Sequence, residues 1–187
     1  PLPLSMGLLA AEMAMKEVSD SGKFLGGSTM VPVRADSTCG DSAAGTAAAE
    51  RLITSDQVKG IMGADCSGVT GAVLQNVARP NGMVMISPSA TSPALTSAED
   101  DGLFFRTAPS DAREGEVMAD IMLERGIKSI ALTYTNNDFG KGLAEAMGGS
   151  IEFESREDAG SRFWVELPFE VPAVEPVPRS EGEPARA

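Results

Sequence analysis

The fold is decided by residues 58–96, VKGIMGADCSGVTGAVLQNVARPNGMVMISPSATSPALT. Two short apolar segments within it, Val58–Met62 and Met83–Ile86, are bounded by glycine and proline, as buried strands of a parallel sheet commonly are. The segment between them, Gly68–Val77, has the length and composition of a crossover helix. Because the same β-α order recurs along the chain, the sequence predicts an α/β fold with a parallel, doubly wound sheet.

Both predicted strands lead into loops that are rich in hydroxyl groups. Cys66-Ser67-Gly68 follows the first strand, and Ser87–Ser92, which includes Ser89, Ala90 and Thr91, follows the second. In an open α/β sheet, ligands bind outside the carboxyl ends of the strands, where helix N-termini favour a negative group. The pattern therefore indicates a site for a small carboxylate, held by hydroxyls and backbone amides. Ordinary strand-to-helix turns use the same residue types, so the pattern alone leaves that alternative open.

The remaining segments extend the β-α order in both directions. Apolar residues at helical spacing predict helices over residues 7–20, 42–55, 112–125 and about 141–147, and short apolar runs predict strands over residues 30–33, 103–106 and 129–134. The expected buried face of the second helix consists of Ala44, Ala47, Ala48 and Leu52. Asp111 and Glu114 are expected to form a capping box at the start of the helix over residues 112–125.

The pattern changes after Met147. Residues 150–155 and 162–169 alternate apolar and polar side chains around a polar turn, which predicts a β-hairpin with one solvated face. From residue 171 onward prolines are frequent and apolar periodicity is absent, so this tail is expected to be disordered.

Composition narrows the possible function classes. With 187 residues, 42% of them apolar, the chain is long enough for a buried core, and it has no apolar run of transmembrane length. Its formal net charge of −12 argues against nucleic acid or an anionic membrane surface as a partner. It has no histidine, which excludes Ser-His-Asp and Cys-His catalysis and His-ligated zinc within this chain. We predict no catalytic residue, no metal site and no cofactor.

The two cysteines, Cys39 and Cys66, each follow a predicted strand in adjacent β-α units, so both would lie at the same edge of the sheet. A disulfide between them would stabilise the fold by about 3–4 kcal/mol through chain entropy, and it would indicate an oxidising compartment. Two buried free thiols fit the pattern almost as well.

Residues 1–146 resemble the type I periplasmic solute-binding proteins of branched-chain amino acid and related ABC importers. Short segments in family order carry the resemblance: ADSTC, GIMGADCSGVT, MISPSATSPALT, FFRTAPSDAREGEVMADIM and IALTYTNNDFGKGLAEA. It implies two α/β lobes that enclose a ligand, a periplasmic location, and the membrane subunits of an ABC transporter as partners. It also implies a disulfide between Cys39 and Cys66, which some members have.

The same resemblance assigns roles to individual residues. In amino-acid-binding members, the ligand's carboxylate and ammonium are held by the loops that here read Cys66-Ser67 and Ser89-Ala90-Thr91. Ser67 and Thr91 would donate hydroxyls, whereas Ser89 and Ala90 would present backbone groups. Phe139 matches an aromatic position that helps to cover the ligand.

The resemblance also predicts how the chain is divided. Residues 1–107 would form the first lobe without its first strand, and residues 108–146 would begin the second lobe. Since the chain opens PLPLSMG, we expect that a signal peptide was removed or that the start is missing. Residues 147–170 resemble instead the carboxy-terminal end of the ATP-binding domain of sensor histidine kinases, with Gly160-Ser161-Arg162-Phe163 at the position of a phosphate-proximal element. Residues 171–187 would be the disordered tail.

Three functions are therefore open from the sequence. The first is non-catalytic recognition of an amino acid or similar small carboxylate for an ABC importer, weakened by truncation. The second is a fragment of a histidine kinase ATP-binding domain, which would lack the adenine and magnesium motifs. The third is a folded chimera without ligand function. Exposed sheet edges also predict self-association.

Overall fold

The structure is a computed structural model that describes residues 6–127, 130, 134–147, 150–156 and 160–166. Its elements in chain order are α1 (Met6–Asp20), α2 (Ser42–Thr54), β1 (Ile61–Met62), α3 (Ser67–Val73), β2 (Met85–Ser87), β3 (Phe104–Arg106), α4 (Asp111–Glu124), α5 (Asp138–Ala146), β4 (Ser150–Arg156) and β5 (Gly160–Glu166). A π-helical turn, Leu74–Ala78, continues α3. No helix in these described ranges is long and apolar enough to cross a membrane.

Strands β1, β2 and β3 form a parallel sheet in that order. Ile61 pairs with Met85, which pairs with Phe104, and the next residues form a second row across the same strands. The sheet confirms the predicted α/β class, although β1 and β2 are shorter than the apolar segments that indicated them. Hydrogen bonds such as Ile61 N–H to Val84 O at 3.0 Å extend the pairing slightly beyond the strands.

The core lies on one face of this sheet. Met85 and Phe104 are buried there against the inner side of α3 and its π-helical continuation. The helical contribution consists of Val69, Val73, Leu74, Val77 and Ala78. Because a fully buried aliphatic side chain contributes about 1.5–3 kcal/mol, this layer accounts for much of the stability of the sheet.

The opposite face of the sheet carries a second apolar row, formed by Met62, Ile86 and Phe105. These side chains are 50%, 41% and 54% exposed, respectively. They stand opposite the core row because successive residues of a strand point to opposite faces. We call Met62, Ile86 and Phe105 the open face.

Helix α2 packs against α3 through a face that only partly matches the prediction. The buried positions are Gly45, Ala49 and Leu52, whereas Ala44 and Ala47 are exposed. A methyl group at Gly45 would lie 2.5 Å from Val69 Cγ1, so the absence of a side chain allows the close approach. The prediction was therefore right for Leu52 and wrong for Ala44 and Ala47, since the close approach at Gly45 fixes the rotation of the helix.

Two local predictions are also wrong. Residues 30–33 do not form a strand; they are exposed, and Met30 N–H donates to Ser19 Oγ at 2.8 Å. A strand requires a hydrogen-bonded neighbour, and no described strand lies beside this segment. At the start of α4 the cap is Ser110, whose hydroxyl accepts from Ala112 N–H at 3.3 Å, so Asp111 is the first helical residue and not the cap.

The carboxyl-terminal elements follow the predicted order. Helices α4 and α5 pack together where Gly115 approaches the Ala146 backbone. The predicted hairpin is present as antiparallel β4 and β5, and residues 160–163 lie inside β5. Most of the predicted strand at 129–134 and the whole predicted tail at 171–187 lie outside the described residues.

Candidate functional site

Two buried hydroxyls bond the loop after β1 to its neighbours, one from the end of β2 and one from α3. Ser87 Oγ donates to the carbonyl oxygen of Ala64 at 2.6 Å, and Thr70 Oγ1 donates to the same oxygen at 3.0 Å. Ser89, which is exposed, donates its hydroxyl to Asp65 O at 2.9 Å. Both loops at this edge therefore keep a fixed relative position without a ligand.

Ser67, the first residue of α3, lies between the two loops. Its side chain is 4% exposed, and its Oγ accepts from the backbone N–H of Ser92 at 3.2 Å. A hydroxyl offers one donor and two acceptor sites, and the O–H of Ser67 has no hydrogen-bond acceptor among the described residues. The helix begins at Ser67 after the extended N-cap residue Cys66, so its first backbone N–H groups, which have no partner within the helix, lie at the same place.

The loop after β2 uses some of its predicted binding groups internally. Ala90 is buried, its N–H donates to Ser87 Oγ at 3.1 Å, and its carbonyl accepts from Arg106 Nη1 at 3.4 Å. Thr91 is half-buried, and its hydroxyl has no hydrogen bond to another described residue. In this loop Thr91 Oγ1 is thus a half-buried hydroxyl that the described residues do not use internally.

Arg106, at the end of β3, donates hydrogen bonds to the loop after β2. Its guanidinium donates to Ser92 O at 2.9 Å and also to Thr96 Oγ1. From the sequence, Arg106 is predicted only as the last residue of a strand, with no role in the site. Its role depends on the parallel register, which places it beside Ser87 of β2.

Asp111 was not among the predicted site residues, yet it lies at this edge. Its backbone N–H donates to Thr91 O at 3.0 Å, and its side chain is 1% exposed. The carboxylate oxygen Oδ2 is buried without a hydrogen-bond partner among the described residues. Buried polar atoms are nearly always paired, so a buried acceptor that lacks a donor among the described residues is unusual and requires an explanation.

The disulfide predicted from the resemblance is present between Cys39 and Cys66. The Cα atoms of the two residues are 5.5 Å apart, in the usual range for disulfides. Since Cys66 precedes Ser67 directly, the bridge attaches the start of α3 to the segment before α2.

Helix α5 packs against the loops that follow β1 and β2. Asn137 caps it by accepting from Gly140 N–H at 2.9 Å. A methyl group at Gly68 would lie 3.4 Å from Asp138 Oδ2, and one at Gly142 would lie 2.7 Å from Pro93 Cδ. Phe139 is in the first turn of the same helix and is 42% exposed. The structure therefore places Cys66, Ser67, Ser89, Ala90 and Thr91 at one edge of the sheet, with the helix of Phe139 above them.

Comparisons with known proteins identify the same family over most of the chain. The family described as the receptor family ligand binding region matches residues 7–157, a range that includes β4. A Leu/Ile/Val-binding protein homolog from Brucella melitensis is 32% identical over 142 residues, and a Leu/Ile/Val/Thr-binding protein from Salmonella typhimurium is 31% identical over 143. These matches cover 75% and 76% of this chain but 37% and 38% of the relatives. The chain thus spans less than two fifths of the length of these curated relatives.

Solved structures agree with the sequence relatives. An ABC transporter substrate-binding protein from Desulfitobacterium hafniense, in complex with Leu, superposes with a TM-score of 0.63 at 28% identity, covering 76% of this chain and 42% of that one. The branched-chain amino acid transporter substrate-binding protein LivJ from Streptococcus pneumoniae, in complex with isoleucine, has a TM-score of 0.64 at 28% identity, covering 73% and 38%. Since one family matches most of the residues, in sequence and in fold, the chain belongs to the type I periplasmic binding proteins.

Proposed function

We propose that the chain recognises a small amino acid, without catalysing its conversion, as the solute-binding component of an ABC importer. One observation carries the proposal: the carboxylate oxygen Oδ2 of Asp111, beside the Thr91 loop, is buried and has no hydrogen-bond partner among the described residues. An α-ammonium group carries positive charge and three donors, so it would satisfy this oxygen better than an uncharged ligand would.

The other pole of an amino acid would lie at the start of α3. Ser67 has an available O–H there, and the first backbone N–H groups of the helix favour a carboxylate. Asp111 and Ser67 are held to neighbouring residues of one loop, because Asp111 bonds to Thr91 O and Ser67 bonds to Ser92 N. A carboxylate and a helix N-terminus that are held to adjacent residues of one loop suit the ammonium and the carboxylate of an amino acid.

Leucine, isoleucine and valine are the ligands we favour. The curated relatives are named for these amino acids, and the two similar solved structures hold Leu and isoleucine. Phe139 would supply apolar cover for an aliphatic side chain. Predominantly apolar lining with a few fixed polar groups is the usual composition of small-molecule sites.

A periplasmic location and the membrane subunits of an ABC transporter as partners follow from the same family. The disulfide supports an oxidising compartment, since such bonds are rare in the reducing cytosol. Self-association through sheet edges stays a prediction, and light scattering at rising protein concentration tests it: a constant monomer mass would contradict it.

The histidine kinase interpretation of residues 147–170 rests on sequence resemblance alone. The family match reaches residue 157, and so includes the first strand of the hairpin, which favours the binding-protein interpretation for that strand. A weakened cleft and a chimera without ligand function become outcomes of the binding experiment.

The experiment is isothermal titration calorimetry of the purified chain with L-leucine, L-isoleucine, L-valine and Mg-ATP, each in turn. Saturable binding of an aliphatic amino acid that is lost in Asp111→Asn would support the proposal. Asp120→Asn, on the exposed side of the same helix, is the matched control and is expected to bind as the wild type does. Heat from Mg-ATP alone would favour the kinase fragment, and no binding of any probe would favour a fold without ligand function.

A further inference from the structure

Helix α5 contains Gly142 in its interior, where glycine is locally unfavourable. Glycine destabilises a helix interior by about 0.8–1 kcal/mol relative to alanine. The residue also has no left-handed backbone to accommodate, since the described glycines with positive φ do not include it. Its presence therefore calls for a packing explanation.

The packing explanation is the contact that α5 makes with the loop after β2. A methyl group at Gly142 would lie 2.7 Å from Pro93 Cδ and 3.3 Å from Ser92 Oγ. The first distance is below any normal carbon–carbon contact, so one of the two segments would have to move. Pro93 cannot turn its Cδ away, because the ring closes that atom onto the backbone nitrogen.

The loop on the other side of this contact is itself rigid. Ser92 donates its N–H to Ser67 and accepts from Arg106 through its carbonyl, so the segment beside Pro93 is bonded from both sides. A methyl group at Gly142 would therefore displace α5 more easily than it would displace the loop.

One helical turn before Gly142, the same face of α5 approaches the other loop. Asp138 Oδ2 lies near Gly68 in the first turn of α3. Residues four apart share a face of a helix. Asp138 and Gly142 therefore lie on one face of α5, and this face packs against both loops of the candidate site.

We propose that Gly142 is a positioning residue: its missing side chain lets α5 seat on Ser92–Pro93 and so sets how closely α5 covers the amino acid. It touches no ligand atom and acts through the position of the helix that carries Phe139. This inference rests on the proposed function, because the affected property is closure over a bound amino acid.

The first test is the affinity for L-leucine, measured by calorimetry in wild type, Gly142→Ala, Pro93→Ala and the double variant. Gly142→Ala is expected to weaken binding by about tenfold or more, as overpacking of this kind commonly does. Pro93→Ala removes Cδ and is expected to restore most of the affinity in the double variant. A double variant as weak as Gly142→Ala would overturn the proposal.

Gly71→Ala is the matched control, because it makes the same change inside helix α3 with room for the methyl group. The nearest atom there, Leu95 Cδ2, would lie at 3.9 Å. This variant is expected to keep wild-type affinity. If it weakened binding as much as Gly142→Ala does, the effect would belong to helical glycines generally, and the proposal would fail.

A second measurement needs no ligand. Spin labels on Ala94→Cys and Glu145→Cys, both exposed positions, report the distance between the loop and α5. Gly142→Ala is expected to lengthen this distance, and adding Pro93→Ala is expected to shorten it again. An unchanged distance would overturn the proposal even if the chain bound no amino acid. Absence of leucine binding in wild type, together with the lengthened distance, would contradict the proposed function while leaving the role of Gly142 supported.

Discussion

Asp111 bonds through its backbone to Thr91 at 3.0 Å, while its own carboxylate oxygen Oδ2 is buried with no partner among the described residues. The backbone bond fixes helix α4 against the loop after β2, and the fixed helix carries the carboxylate into the interior. Such an arrangement costs free energy in the unliganded protein. Under the proposed function, a cationic donor would satisfy this oxygen, and the cost of leaving it unpaired would then favour an ammonium group over an uncharged ligand.

Asp111→Asn should therefore stabilise the unliganded protein and weaken amino acid binding. Replacing the unpaired carboxylate by a neutral amide removes a desolvated charge, with an expected gain of about 1–3 kcal/mol in the free energy of unfolding. The affinity for L-leucine should fall by about tenfold or more, because hydrogen bonds to charged groups contribute more than neutral ones. Chemical denaturation and calorimetry measure the two quantities separately. A variant that loses stability along with affinity would show that Asp111 is structural.

Ser67→Ala and Thr91→Val should differ in their effect on stability. Ser67→Ala leaves the Ser92 N–H without its acceptor in a buried place, and is expected to lower the free energy of unfolding by about 1–3 kcal/mol. Thr91→Val conserves shape and breaks no hydrogen bond between described side chains, so its stability should stay near wild type. Both should bind L-leucine more weakly. Unchanged affinity in Thr91→Val would remove Thr91 from the site.

Reduction of the disulfide should destabilise the fold. The bridged residues are separated by 27 positions, for which loop-closure entropy predicts a loss of about 3–4 kcal/mol on reduction. Urea unfolding with and without dithiothreitol, followed by circular dichroism, measures the difference. The double variant Cys39→Ser/Cys66→Ser should match the reduced protein and should be insensitive to dithiothreitol. A reduced protein as stable as the oxidised one would contradict the prediction.

The ion pair between Arg34 and Glu12 should be visible in the titration of Glu12. Two hydrogen bonds of 2.6 Å join the guanidinium to the carboxylate, and they hold the pKa of Glu12 below its usual value of 4.5. A lowered folded-state pKa means that the pair stabilises the fold above the unfolded-state value and that this contribution is lost as pH falls through the folded-state value. NMR titration should show the low pKa in wild type and its return toward the usual value in Arg34→Ala. An equal pKa in both proteins would exclude the pair in solution.

The successes of sequence reasoning lie where structure is local. The strands beside Ser67 and Thr91 were recognisable because apolar runs between glycine and proline carry their own signal. The hairpin after Met147 was recognisable because its alternation has a period of two. The site loops followed from these strands, since parallel strands end at a common edge.

The failures lie where distant segments meet. Alanines look equally suited to burial along α2, and only the approach of Val69 to Gly45 selects the face that is buried. Asp111 resembles a capping residue in sequence, and only the bond to Thr91 brings its side chain inside. The contact between Gly142 and Pro93 joins segments about fifty residues apart, so no periodic pattern of apolar residues in the sequence predicts it.

The open face of the sheet has a practical consequence for anyone handling this protein. Met62, Ile86 and Phe105 present adjacent apolar side chains to water on neighbouring strands. Environment-sensitive dyes such as ANS bind such surfaces, so the folded chain should fluoresce with the dye before any heating. Dye-based melting curves would then start from a high baseline and could mimic a partly unfolded sample. Circular dichroism and calorimetry, which need no dye, avoid this artefact and are the right readouts for the variants above.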